Sequence, residues 1–178
     1  MADLTGKDQF AYFAEGNARQ ARKRVAADVL LRDEQGRVVL VNPTYKAFWD
    51  LPGGMAESNE PPAVAAAREV LEELGVQLSI GRVLLLDWEA PHGPWDDQLV
   101  FVFDGGVLGP DLLKALRVSD PEISEFEIVE VSEALRRLRP DMANKLERAL
   151  AAAESGTFDY AEEQKFLGGD AGLGQVPS

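Results

Sequence analysis

Between Gly54 and Val76 the chain reads GMAESNEPPAVAAAREVLEELGV, and no other stretch limits the fold so tightly. Pro61 and Pro62 suit the first turn of a helix, where amide donors have no partner to lose, and Gly75 suits a carboxyl-terminal cap. The sequence therefore predicts a loop from Gly54 leading into a helix that stops near Gly75. At about 100° per residue, taking Glu69 as zero puts Glu73 at about +40° and Glu72 at about −60°, so three carboxylates share one arc. Val64, Ala67, Val70, Leu71 and Leu74 fall opposite and are expected to form the buried face, with Ala65 and Ala66 flanking the arc. Arg68 stands four residues before Glu72, within reach of an ion pair.

As a bare helix this is a poor design. Glu69 and Glu73 are like charges one turn apart, which costs a few tenths of a kcal/mol, and Glu72 and Glu73 oppose the helix dipole in the last turn by roughly 0.3–1 kcal/mol. Local rules broken together mark a functional site, and a divalent cation would reverse both penalties. Composition restricts that cation. The 178 residues include no cysteine and a single histidine, His92, so thiolate and multi-histidine zinc sites are excluded. Oxygen ligands remain, which points to magnesium, manganese or calcium.

The length favours one domain. With 18 Lys and Arg against 31 Asp and Glu, the net charge is −13. Such a surface repels nucleic acid polymers and anionic lipid, and it repels a small phosphorylated substrate too unless a cation or a local basic patch offsets the field. The first twenty residues lack the pattern of a signal peptide and no apolar run is long enough to span a membrane, so a cytoplasmic protein is expected. The sequence leaves a homodimer open.

Residues 1–23 read as a leading segment with a basic cluster at Arg19, Arg22, Lys23 and Arg24, for which a solvated face is the simplest reading. VAADVLLR and VVLVN around DEQGR predict a hairpin, and Trp49 and Leu51 extend the sheet before Pro52. Further strands are expected in VQLSIGRVLLLDWEA, interrupted near Gly81, in QLVFVFDGG, and in ISEFEIVEV. Two helices, Ser132 to about Arg139 and Asp141 to about Glu154, are split by Pro140. Residues 24–154 form the expected domain, and 155–178 read as a mobile tail. The order of elements suggests an α/β fold, a mixed sheet sandwiched by helices.

Seven fixed residues and two aliphatic ones in the Gly54–Val76 segment match G-x5-E-x7-R-E-U-x-E-E-x-G-U without a departure, U being aliphatic. At about 7% per residue type, chance would give such a match on the order of once in ten million chains. The segment resembles the signature of the Nudix hydrolase family, and the strand and helix order from about Arg24 to Leu150 agrees with the family's α/β/α sandwich. The resemblance implies that Glu69, Glu72, Glu73 and the Gly54 carbonyl hold magnesium, with manganese able to substitute. It implies that Arg68 orients the carboxylates and that Glu60 holds the loop and assists catalysis. Glu69 is the first choice for general base. A further acidic residue is expected downstream, at Glu122 or Glu125.

The implied activity is magnesium-dependent hydrolysis of a pyrophosphate bond in a small nucleotide. Pro91 stands fifteen residues after Val76, as in some family members acting on ADP-ribose, which favours ADP-ribose or a nucleoside diphosphate sugar. Clearance of nucleoside triphosphates and a silent nucleotide-binding module are the alternatives. Trp88, Trp95 and Phe48 are the candidates for stacking on a base, with a place in the core as the alternative; Trp49 reads as structural and His92 as a loop histidine.

Overall fold

The computed structural model describes residues 6–162 and 165–166. Two apolar alternations explain its centre. In β1 (Arg24–Asp33), Ala27, Val29 and Leu31 face one core while Leu30 faces another; in β2 (Val38–Pro43), Val39 and Val41 join the first core and Val38 and Leu40 the second. Both strands are apolar on both faces, so both faces need covering. The coverings are helices, and the sheet between them is mixed, as expected.

The remaining elements are α1 (Lys7–Arg19), β3 (Gly53–Met55), α2 (Pro62–Leu74), β4 (Val83–Glu89), β5 (Gln98–Leu108), α3 (Pro110–Ala115), β6 (Ile123–Val129), α4 (Val131–Arg137), α5 (Pro140–Ser155), β7 (Asp159–Glu162) and β8 (Lys165–Phe166). Strand order is β6-β2-β1-β5-β4-β7-β8, with β3 also on β1. β1 lies parallel to β5 and β4 parallel to β7; the other pairs are antiparallel. The ladder places Ala26, Ala27 and Asp28 opposite Met55, Gly54 and Gly53. That register fixes the loop leading into α2. Val70 and Leu74 of α2 pack into the first core, and Leu146, Ala149 and Ala152 of α5 pack into the second.

Two expectations need correction, and one short helix was not foreseen. The buried side of α2 is Ala65, Ala66, Val70, Glu73 and Leu74, while Val64 and Leu71 are exposed. Small alanines let the helix lie close to the sheet, which turns Glu69 and Glu73 inward rather than away from the core. The tail expected to be mobile from Ser155 instead includes β7, paired with β4 from Leu85↔Asp159 to Trp88↔Glu162. Its last part, 167–178, lies outside the described residues. The short α3 was missed because six residues are too few to show periodicity, although Pro110 and Asp111 mark its first turn. No described helix is long and apolar enough to cross a membrane.

Candidate active site

Two glycines open the site. Gly53 has φ +145°, and a Cβ there would stand 2.4 Å from the Ala27 carbonyl oxygen and 2.6 Å from the Asp28 Cα, so only glycine fits against β1. Its amide donates to Glu73 Oε2 at 3.0 Å. At Gly54 a Cβ would meet the Glu69 carboxyl carbon at 2.6 Å. The side chain of Glu69 therefore occupies the space that the glycine leaves.

Arg68 organises the other carboxylates. Its Nε and Nη2 donate to the two oxygens of Glu60, each at 3.0 Å, its Nη1 donates to Glu69 at 2.9 Å and Glu72 at 2.8 Å, and its Nη2 also reaches the Met55 carbonyl at 3.1 Å. Glu60 accepts the Glu57 amide as well, at 2.8 Å, which closes the loop before α2. Hydrogen bonds from Arg68 hold the Glu60 carboxyl below its usual range.

Glu69 and Glu73 are shifted the other way. Burial raises both, and each is raised further by carboxylates nearby, Glu73 to about 8 despite the Gly53 amide. Asp28, also buried, is pushed well up by burial and by Asp50, and it contributes to the shift at Glu73. Crowded carboxylates that resist losing their protons are a standing demand for positive charge.

The donors match a hard divalent cation in chemistry: three carboxylates and the Gly54 carbonyl, all oxygen. Their present arrangement is not yet a cage. Among the described residues no three acidic side chains converge at metal-holding geometry. Arg68 draws Glu69 and Glu72 toward itself, and Gly53 holds Glu73. A Gly54→Ala variant tests this crowding. The three atoms nearest its methyl all belong to the flexible end of Glu69, so the melting temperature should change little. Displacing that carboxylate by about 1 Å should nevertheless lower turnover by up to about a hundredfold.

The structure thus brings Gly54, Glu60, Arg68, Glu69, Glu72 and Glu73 together. Glu125 accepts the Asn42 side chain at 3.0 Å, Glu122 lies near Tyr45, and both are exposed. Neither forms a hydrogen bond or ion pair with the three glutamates among the described residues. Trp88 is half-buried and gives its Nε1 proton to Asp97 at 2.9 Å; Trp95 is exposed, with the Arg24 guanidinium over its ring at 4.6 Å. Phe48 lines a separate cleft with Lys46, Asp50, Arg139 and Met142. Pro91 is exposed in the loop between β4 and β5. Trp49 carries Arg137 over its ring at 4.9 Å, in keeping with a structural part. Sequence reasoning missed Asp28 and the Gly53 amide. An aspartate inside the apolar run VAADVLL was the available signal.

A family model for the NUDIX domain matches residues 22–152. Diphosphoinositol polyphosphate phosphohydrolase 2 of Rattus norvegicus is 46% identical over 68 residues, 37% of this chain and 38% of that protein. The match therefore spans well under half of that relative's length. Among solved structures, a MutT protein from Methanosarcina mazei Go1 superposes with a TM-score of 0.61 at 23% identity, over 77% of this chain and 99% of the other. An ADP-ribose pyrophosphatase from Streptococcus suis gives a TM-score of 0.54 at 17% identity, over 79% and 99%. At such identities the structural likenesses speak for the fold.

Proposed function

Because this chain belongs to the NUDIX family, we propose that it is a hydrolase that uses a divalent cation to cleave the diphosphate bond of a small phosphorylated molecule. The observation that carries this reading is the carboxylate lattice itself. Arg68 ties Glu60, Glu69 and Glu72 together, while Glu73 is buried beside them against the Gly53 amide. A lattice of this kind is costly as structure and useful as a cation seat.

Glu69, Glu72, Glu73 and the Gly54 carbonyl would hold the ion, magnesium by preference and manganese as a substitute. Bound there, it would screen the diphosphate charge and lower the pKa of a water. Glu69 acts as the general base. Its carboxylate lies against Gly54 and accepts from Arg68 at 2.9 Å, which fixes where it can take up a proton. Arg68 keeps that side chain in place, and Glu60 locks Arg68. The reading sets the protein in the cytoplasm, acting on a soluble substrate.

The molecule attached to the diphosphate is the open part. Pro91 favours ADP-ribose or a nucleoside diphosphate sugar. The 46% identical segment favours a diphosphate on a more heavily phosphorylated molecule, as the name of that relative describes for its own substrate. A panel with magnesium separates them: ADP-ribose, a UDP-sugar, a nucleoside triphosphate and a diphosphoinositol polyphosphate. ADP-ribose should give AMP and ribose phosphate; pyrophosphate released from the triphosphate would mark pool clearance instead. No turnover of any of the four, with magnesium or manganese, would overturn the hydrolase reading.

A further inference from the structure

The basic cluster that the sequence left as a solvated face lies against the active-site loop. Arg22, Lys23 and Arg24 form one wall of a cleft of about 490 Å³, and residues 55–60 form the other. That volume suits a small ligand. In a chain of net charge −13, three consecutive cations at this place are what a phosphorylated substrate needs to offset long-range repulsion. The β1–β3 ladder fixes the spacing. Ala27 is opposite Gly54, and Val25 accepts the Ala56 amide at 2.9 Å. Arg24 is three residues before Ala27, roughly 10 Å along the strand. One molecule can reach both places.

The cations are held but not neutralised. Arg24 lies over Trp95 at 4.6 Å and reaches the Asp96 carbonyl at 3.5 Å and the Met55 sulfur at 3.9 Å, all uncharged partners. Lys23 pairs with Asp97, which Trp88 also binds, so part of its charge is spent. Arg22 is exposed and has no ion pair among the described residues. Across the cleft, Glu60 has both oxygens engaged by Arg68 and the Glu57 amide, while Glu57 is exposed. Trp95 directly, and Trp88 through Asp97, thus help to position these cations.

We propose that this cleft seats a second phosphorylated group of the substrate, outside the diphosphate that is cleaved, so that the preferred substrate carries at least one phosphate beyond its diphosphate. The identity of the cleaved bond rests on the hydrolase reading above; the anion seat does not. Calorimetry with inositol hexakisphosphate, a compact polyanion without a diphosphate bond, tests it independently of turnover. Arg22→Glu, and separately Arg22→Gln with Lys23→Gln, should weaken binding by at least about tenfold, as expected for losing charge-assisted phosphate contacts. Arg136→Gln, an exposed cation elsewhere, should leave it unchanged. In the same variants, kcat/KM should fall more for a diphosphoinositol polyphosphate than for ADP-ribose.

Unchanged binding by the Arg22 variants overturns the proposal. So does an equal loss in Arg136→Gln, or an equal weakening of a single-stranded oligonucleotide, since either would reveal an unselective attraction of anions. A wild type that binds the probe through Arg22 yet hydrolyses nothing would sink only the hydrolase reading.

Discussion

Replacing Glu69 or Glu73 by Gln should lower magnesium-dependent turnover by at least about a hundredfold, the low end for losing a catalytic acid–base group, with weakened cation binding adding to it. Gln keeps the size and the oxygen acceptor, so Gly53 can still donate to position 73 and the local fold should survive. The metal-free protein should respond in the opposite sense. In the folded chain Glu73 keeps its proton up to about 8, against an ordinary value of 4.5. Over that window the unfolded chain binds fewer protons than the folded one, so metal-free stability falls as pH rises, by at most about 1.4 kcal/mol per pH unit for one group. Glu73→Gln should flatten this slope and melt higher than the wild type near pH 8. Magnesium should then stabilise the wild type more than the variant, because the ion binds only the folded arrangement. Thermal melts across pH, with and without magnesium, beside steady-state rates, check both halves. A Glu73→Gln protein that melts much lower without metal yet keeps full turnover would make these carboxylates structural and end the assignment.

The parts of this molecule that follow from short-range chemistry were legible in the sequence. Pro62 opens α2 and Gly75 closes it in a left-handed conformation with its amide on the Leu71 carbonyl, as the residue types require. The hairpin β1–β2, the strands β5 and β6 and the break at Pro140 follow equally from local pattern. What escaped depends on how elements meet. A helical wheel assigns Val64 and Leu71 to the core because they are apolar, but the sheet accepts the Ala65–Ala66 side, where a close approach is sterically free. The same approach buries Glu73, so a carboxyl group pushed up to about 8 lies on a face that the wheel gave to solvent. Strand β7 was invisible for a related reason. Four residues, DYAE, have no convincing period, and their partners, the parallel edge of β4 and the short β8, come from pairing that local pattern does not show. The aromatics show a third case. Trp88 and Trp95 were noted for their rings, yet their partners, Asp97 and Arg24, lie in other elements and define what they do.

Losing the charge of Lys145 should have the largest effect on stability. This lysine of α5 is 1% exposed and meets Glu89 at 2.6 Å and Asp87 at 3.3 Å, with Asp141 at 4.0 Å. Burial works against its ammonium, but the hydrogen bond to Glu89 and the charges of Asp87 and Asp141 outweigh it and hold the group above its usual value. Through these contacts α5 is fixed to β4, which in turn places Arg139 and Met142 beside Phe48. Lys145→Met keeps the aliphatic stem and removes the charge, leaving two acidic groups in the second core without their cation. Breaking one side of a buried pair in this way costs about 3–5 kcal/mol. For a chain of this size that corresponds to a fall in melting temperature of roughly 6–20 °C. Adding Asp87→Asn and Glu89→Gln to Lys145→Met should recover much of the loss, because the penalty lies in buried negative charge that Lys145 no longer offsets rather than in a missing attraction. Denaturant titrations of the single and triple variants decide it. A Lys145→Met protein as stable as the wild type would mean that water reaches this cluster and that α5 is held by its apolar face alone.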